Sequence, residues 1–301
     1  MSKPKSNNAK TVSVALTLCL VCSVLVSAVA VGLKPAQVEN ARLDRNKNIL
    51  IAADMYDAES DTAEDVAERF KDFDVEIVDL NNGSYVDDNA LLEAGIPDRN
   101  AYDASQATKN AALSEDLGEN DPAGIGRKPK YAKVYVKNDE AGKPEMVVLP
   151  IQGYGLWGTI YGFLTLESDM NTIRGISFYE HKETPGLGAR IEEPEWRAKW
   201  SGIHSYDAEG NVATGVTKAG TPKENWVDGI SGATLTGRGV SNMIQFWLGD
   251  QGYKPYLDSL RKESGQTLES ADTQANQSTK PAAQPKTELA ATLPVANGKE
   301  A

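Results

Sequence analysis

The chain has 301 residues, 40% hydrophobic and 25% charged, with a formal net charge of −12. That length suits one or two domains, and so acidic a surface cannot neutralise a phosphate backbone, which excludes nucleic acid as a partner. The only cysteines, Cys19 and Cys22, lie in an apolar stretch and the only histidines are His181 and His204; a zinc site, an iron–sulfur cluster or haem has no ligand set here, so any redox chemistry requires an organic cofactor.

Residues 11–33 carry no charge, and roughly 20 apolar residues suffice to cross a hydrocarbon core. Lys3, Lys5 and Lys10 precede the stretch, and no acidic residue occurs before Glu39. The positive-inside rule therefore predicts a cytoplasmic N-terminus over residues 1–10, one transmembrane helix over 11–33, and export of everything beyond. A cleavable signal peptide is the rival, since Ala28-Val29-Ala30 has a small-x-small cleavage pattern, but the apolar run exceeds the roughly 7–15 residues of a signal core.

Residues 36–53 form a polar, helix-prone run that continues from the anchor or packs near it. A second helix is predicted over 62–71, where Thr62 and Asp65 approximate a capping box and Ala63, Val66, Ala67 and Phe70 share a face. Residues 74–80 read as a strand, and 81–127, rich in Asn, Asp, Gly and Ala, as irregular or partly helical. In 131–137, Ala132, Val134 and Val136 fall on one face and Lys133 and Lys137 on the other, the alternation of a strand. Residues 145–151, 159–166 and 173–180 are further strands by β-branched and aromatic enrichment, and their short connections favour an antiparallel sheet. Residues 192–200 form a short helix.

The strongest helix starts after Ala233. Val240, Met243, Ile244, Trp247 and Leu248 form a buried stripe, ended by Gly249 and Gly252. From residue 264 to 301 the composition is Gln, Ser, Thr, Ala, Pro and Lys with few large apolar residues, and disorder is expected. The fold class is thus α+β: one N-terminal transmembrane helix, then a single domain over residues 36–263 with an antiparallel sheet packed by helices.

Two segments carry chemistry. DGISGATLT, residues 228–236, opens the strongest helix. Small residues let backbone approach a ligand, and a helix N-terminus offers unpaired N–H groups that suit a phosphate. Ser, Thr and Gly before a helix are equally what ordinary capping looks like. A serine-hydrolase elbow around Ser231 lacks the following histidine it needs. The second segment, HKETPGLG at residues 181–188, reads as a tight turn after a strand, or as a wall over a planar ligand with Leu187 as its apolar contact.

The pairing of HKETPGLG with DGISGATLT resembles the bacterial FMN-binding domain family. LDRNKNIL at 43–50, GYGLWGTIYG at 153–162 and GYKPYLDSLR at 252–261 make the chain similar, more closely, to the C subunit of the sodium-translocating NADH:quinone reductases. That resemblance implies FMN esterified through its phosphate to Thr234, with Asp228 in the same motif and a separate flavin transferase making the bond. It places Ser231, Gly232, Ala233, Leu235 and Thr236 around the phosphate and ribityl chain. Glu183, Thr184, Gly186, Leu187 and Gly188 fall beside the flavin. Trp157 is either an aromatic neighbour of the flavin or plain core, and His181 is read as structural or surface.

The implied role is electron relay within a bacterial inner-membrane complex whose other integral-membrane and flavin or iron–sulfur subunits oxidise NADH, reduce ubiquinone and export sodium. The chain itself shows no strand–turn–helix dinucleotide-binding unit and no charge within its span, so no catalytic residue of its own is expected. The flavoprotein subunit of the Rnf-type ferredoxin:NAD complex shares the two signature segments and stands as one alternative. A non-enzymatic anchored binding or assembly module, with SGATLT as a mere helix cap, is the other.

Overall fold

One unbroken helix opens residues 8–265 and 268, the part of the chain described by a computed structural model. α1 (Asn8–Ala52) contains the whole apolar stretch and continues through Pro35 into the polar run beyond it, so of the two expected arrangements the continuous one is realised. Its first part is exposed, long and apolar enough to cross a membrane. Its last two turns are buried: Ile49, Leu50 and Ala52 pack on the sheet. Ser177 Oγ donates to Asn48 O at 2.8 Å and Arg174 Nε to Ala53 O at 2.7 Å. LDRNKNIL is thus the segment that docks the anchor helix on the domain.

α2 (Ala63–Arg69) carries the full Thr62/Asp65 capping box and runs into a 3₁₀ turn, Phe70–Asp72. β1 (Phe73–Asp79) follows, then α3 (Asp88–Glu93), α4 (Ala104–Ala107) and a small ribbon of β2 (Ser114–Asp116) with β3 (Arg127–Pro129). β4 (Tyr131–Asn138), β5 (Pro144–Tyr154), β6 (Thr159–Glu167) and β7 (Ile173–Glu180) are consecutive antiparallel neighbours. β1 adds to β4, so the sheet order is β1-β4-β5-β6-β7. A 3₁₀ turn at Gly188–Glu192, α5 (Pro194–Arg197) and a 3₁₀ turn at Ala198–Trp200 replace the single short helix expected over 192–200. α6 (Thr234–Trp247) and α7 (Lys254–Ser264) close the described chain.

The sheet is buried on both faces. On one face Val134, Val147, Leu149 and Leu164 meet Val240, Met243, Ile244 and Trp247 of α6 and Leu257 and Leu260 of α7. On the other, Tyr135, Val148 and Phe163 meet the end of α1 and Val66. Lys133 lies on that second face, buried, and its Nζ donates to Asn100 O at 3.0 Å instead of reaching solvent. The cause is the 81–127 insert, which covers what would otherwise be an open flank.

α7 escapes the sequence reading, although Pro255 opens it and left-handed Gly265 (φ 68°) closes it. It runs to Ser264, so the boundary of the expected tail shifts slightly. The expectation for residues 266–301, Leu268 apart, and that for residues 1–7 lie outside the described residues.

Candidate functional site

α6 is placed by its small residues. A Cβ on Gly239 would lie 2.5 Å from Tyr154 O, and one on Gly153 would lie 2.7 Å from Met243 Cβ, so helix and strand touch backbone to backbone. Trp247 Nε1 donates to Gln152 O at 2.7 Å and fixes the helix along β5. Burying Val240, Met243, Ile244 and Trp247 stabilises this packing by about 1.5–3 kcal/mol per side chain. The N-terminus of α6 consequently sits at the β5–β6 turn, residues 155–158.

That N-terminus has no side-chain cap. The preceding Ala233 has none to offer, and the first turn holds no acidic residue. α2, α3 and α4 are capped by Thr62, Asp87 and Asp103. The expected capping role for the SGAT hydroxyls is therefore unrealised: Ser231 and Thr234 are exposed, with no side-chain hydrogen bond among the described residues. The free N–H groups and positive dipole end of α6 face outward beside Thr234, an arrangement suited to an anion. Gly232, at φ 81°, supplies the turn that only glycine adopts without strain.

Glu183 joins the two loops. It is 5% exposed. Its Oε1 accepts the N–H groups of Leu156 (2.8 Å) and Trp157 (3.0 Å), and its Oε2 accepts the Thr236 hydroxyl at 2.6 Å. One carboxylate thereby clamps the β5–β6 turn, the HKETPGLG loop and the first turn of α6. Its neighbours have no room to grow: a Cβ on Gly188 would lie 2.6 Å from both Glu183 Oε2 and Thr236 Oγ1, and one on Gly155 2.5 Å from Glu183 Oε1. Thr236 and Ala233 are buried, so they brace the turn from beneath.

Glu183 also donates its N–H to His181 Nδ1 at 3.1 Å. With Nδ1 accepting, the proton of neutral His181 is on Nε2, which lies 2.8 Å from Glu192 Oε1. Through these contacts His181 braces the backbone of this loop. His204 likewise serves a turn, its N–H held by Asn225 Oδ1 at 2.8 Å.

Leu187 comes over the SGAT turn, its Cδ2 3.2 Å from where a Gly232 Cβ would stand. Thr184 and Gly186 are exposed in the same loop, and Gly186 takes φ 74°. Trp157 is 61% exposed, which removes the core reading of this residue. Tyr154, Leu156, Leu187 and Leu235 are exposed as well. These five come from three segments that Glu183 and Gly239 hold together, and such concentration of exposed apolar area marks a binding surface. Asp228 is set apart: its Oδ1 accepts the Gly220 N–H at 2.8 Å and its carbonyl accepts Trp196 Nε1 at 3.0 Å. It shapes the approach to the SGAT turn and does not reach Thr234 through these bonds. Gly155, Gly239 and Tyr154 were not singled out from the sequence, although GYGLWG was, because the need for glycine arises only from contacts distant in sequence.

The donor set fits FMN: unpaired helix N–H groups and hydroxyls for a phosphate, a glycine turn, and apolar side chains for a planar ring. Comparison with known proteins points the same way. Residues 155–249, from the Glu183-bound turn to the end of α6, match the family model of the FMN-binding domain. The C subunit of the Na(+)-translocating NADH-quinone reductase of Pseudomonas aeruginosa is 40% identical over 264 residues, 86% of this chain and 98% of that one. Its counterpart from Pasteurella multocida is 39% identical over 263 residues, 87% and 97% of the two chains. The crystal structure of Shewanella oneidensis NqrC superposes with a TM-score of 0.64 at 32% identity, covering 74% of this chain and 99% of that one. That of the corresponding Na(+)-translocating NADH-quinone reductase subunit from Parabacteroides distasonis gives 0.57 at 26% identity, covering 75% and 96%.

Proposed function

Because the chain belongs to the family of C subunits of the Na(+)-translocating NADH-quinone reductases, we propose that it is the FMN-bearing, electron-carrying subunit of such a complex, its FMN esterified through the phosphate to Thr234. The observation that carries the attachment is the exposed Thr234 on the uncapped N-terminus of α6, two residues after Gly232, which Leu187 of the second loop overhangs.

Each part of the chain has a task in this reading. The N–H groups opening α6 orient the phosphate and offset its charge. Glu183 and Thr236 keep that turn from moving relative to the residues 155–158 turn. Leu187, Leu235 and Trp157 supply apolar contact for the flavin, and Ser231, Gly232, Thr184 and Gly186 the backbone and hydroxyl surface around it. Bound there, the isoalloxazine supplies electron-transfer chemistry that no side chain of the protein offers. NADH oxidation, ubiquinone reduction and sodium export belong to partner subunits. α1 crosses the bacterial inner membrane over residues 11–33 with the lysines cytoplasmic, so the domain is extracytoplasmic and meets its flavin transferase there. The relatives match over nearly their whole length, which supports this reading over a ferredoxin-linked complex.

The test is peptide mass analysis and in-gel fluorescence of the full chain produced with its flavin transferase. The FMN mass is expected on the Thr234 peptide and absent from Thr234→Ala, whose melting temperature stays unchanged because the hydroxyl is exposed and unbonded. Flavin that survives denaturation in Thr234→Ala would refute the attachment.

A further inference from the structure

Arg238 stands four residues after Thr234 on α6, and both are exposed. Residues four apart share one helix face, and long side chains on a helix lean toward its N-terminus. The Arg238 guanidinium is therefore directed over the turn that presents Thr234.

It arrives there without a partner. Arg99, Arg127, Arg174, Arg190 and Arg261 each lie within ion-pair distance of a carboxylate. Arg238 has no ion pair or side-chain hydrogen bond among the described residues. The nearest acids by loop position are engaged: both oxygens of Glu183 accept hydrogen bonds, and Asp228 Oδ1 accepts from Gly220. The first turn of α6 itself holds neither an acid nor a side-chain cap that would compete for the guanidinium. A solvated surface arginine would show the same exposure; what sets Arg238 apart is its place four residues from Thr234 on one helix face.

We propose that Arg238 is the counter-ion of the phosphate at Thr234. The inference rests on the reading that Thr234 carries FMN. A phosphodiester retains one negative charge, and the planar guanidinium fork pairs with phosphate oxygens through two parallel N–H bonds. Helix N–H groups reach the phosphate from one side and Arg238 from the turn behind, so the charge is balanced without burial. In the attachment step the transferase breaks a phosphoanhydride bond of an activated flavin nucleotide, the nucleotide leaving group departs, and Thr234 Oγ takes the FMN phosphate while its proton passes to the transferase; the Arg238 guanidinium draws that phosphate toward the hydroxyl. Arg238 is a cofactor-binding residue and takes no proton.

The experiment uses the full chain in detergent with its flavin transferase and reads the initial rate of covalent flavin incorporation, the ³¹P resonance of the attached phosphate, and the melting temperature of the flavin-free chain. Arg238→Ala is expected to slow incorporation about tenfold, the order of one charge-assisted contact, and to move the ³¹P resonance. Arg238→Lys recovers most of the rate, and both variants melt with the parent. An unchanged rate and resonance in Arg238→Ala would overturn the proposal. So would a slow rate that lysine does not rescue and that accompanies a lower melting temperature. A parent chain without flavin on Thr234 fails the underlying reading instead, so the two failures are distinguishable.

Discussion

Removing the Glu183 carboxylate tests the clamp most directly. Glu183→Ala deletes the acceptor of three hydrogen bonds, those from Leu156 N, Trp157 N and Thr236 Oγ1. Bonds to a charged acceptor contribute about 1.5–3 kcal/mol each, and an orphaned buried group costs about 1–3 kcal/mol. The three donors do not suffer equally. Leu156 and Trp157 are exposed, so water replaces the carboxylate at their N–H groups. Thr236 is 1% exposed, and its hydroxyl is left stranded. The net loss is then about 3 kcal/mol, or roughly 6–12 °C in melting temperature for a domain of this size. Glu183→Gln keeps the shape and one carbonyl oxygen but loses the charge, costing about 1 kcal/mol.

The assay is thermal unfolding of the flavin-free chain, with amide exchange followed at Leu156 and Trp157. Both amides should exchange faster in Glu183→Ala, and covalent flavin incorporation should fall about tenfold or more as the α6 turn loosens. If Glu183→Ala melts within about 1 °C of the parent and the Leu156 amide exchanges at its original rate, the clamp argument is wrong.

Gly188→Ala should lower stability by about 2–3 kcal/mol and nearly abolish flavin incorporation, since its methyl would collide with Glu183 and Thr236; denaturant titration and in-gel fluorescence check it. Gly232→Ala should cost about 1–2 kcal/mol through its left-handed backbone and push Leu187 outward, read as slower incorporation and a changed flavin fluorescence. Burial, with the Arg45 guanidinium adding to it, pushes the Lys133 ammonium down to about 8, against about 10.4 in an unfolded chain. Between those values the unfolded chain binds more protons, so stability climbs as pH rises from about 8 to 10.4, while below 8 a penalty of about 2–3 kcal/mol stands in full. Lys133→Met should flatten that climb and stabilise the protein at neutral pH, net of the lost Asn100 bond, in urea titrations at about pH 7 and 9.5; a climb that persists in the variant would refute the assignment.

What could be read from the sequence was local. The Thr62 cap, the stripe of α6 and the alternation in β4 repeat within a few residues, and β5 to β7 stand out by their β-branched and aromatic content, so local pattern alone finds them. Pattern could not tell that the Lys133 side of β4 is covered, because its cover is an insert without periodicity of its own. It missed α7, whose apolar residues are few, although its proline and glycine punctuation was visible. Nor could it separate Trp157 as rim from Trp157 as core, since only the Glu183 clamp across 26 residues turns that loop outward. The resemblance to a flavoprotein family placed Glu183 in the site. Its contact with Thr236, 53 residues away, shows a scaffold role.

The geometry also bears on why a covalent link would be used at all. Tyr154, Leu156, Trp157, Leu187 and Leu235 are all substantially exposed. Tight non-covalent sites usually bury roughly 70–90% of a ligand, and a surface patch of this kind offers much less apolar contact. Deepening the pocket would raise affinity but move the flavin away from the surface where redox partners approach. An ester to Thr234 would remove that conflict, because attachment would make docking intramolecular at an effective concentration of about millimolar or more. Contacts too weak to hold free FMN then suffice to orient it. On this argument the exposed ring of residues is selected for access, Glu183 for keeping that access in a fixed place, and Thr234 for retention. Thr234→Ala with excess free FMN should accordingly show weak, readily washed-out binding, and tight retention in that variant would contradict the division of labour.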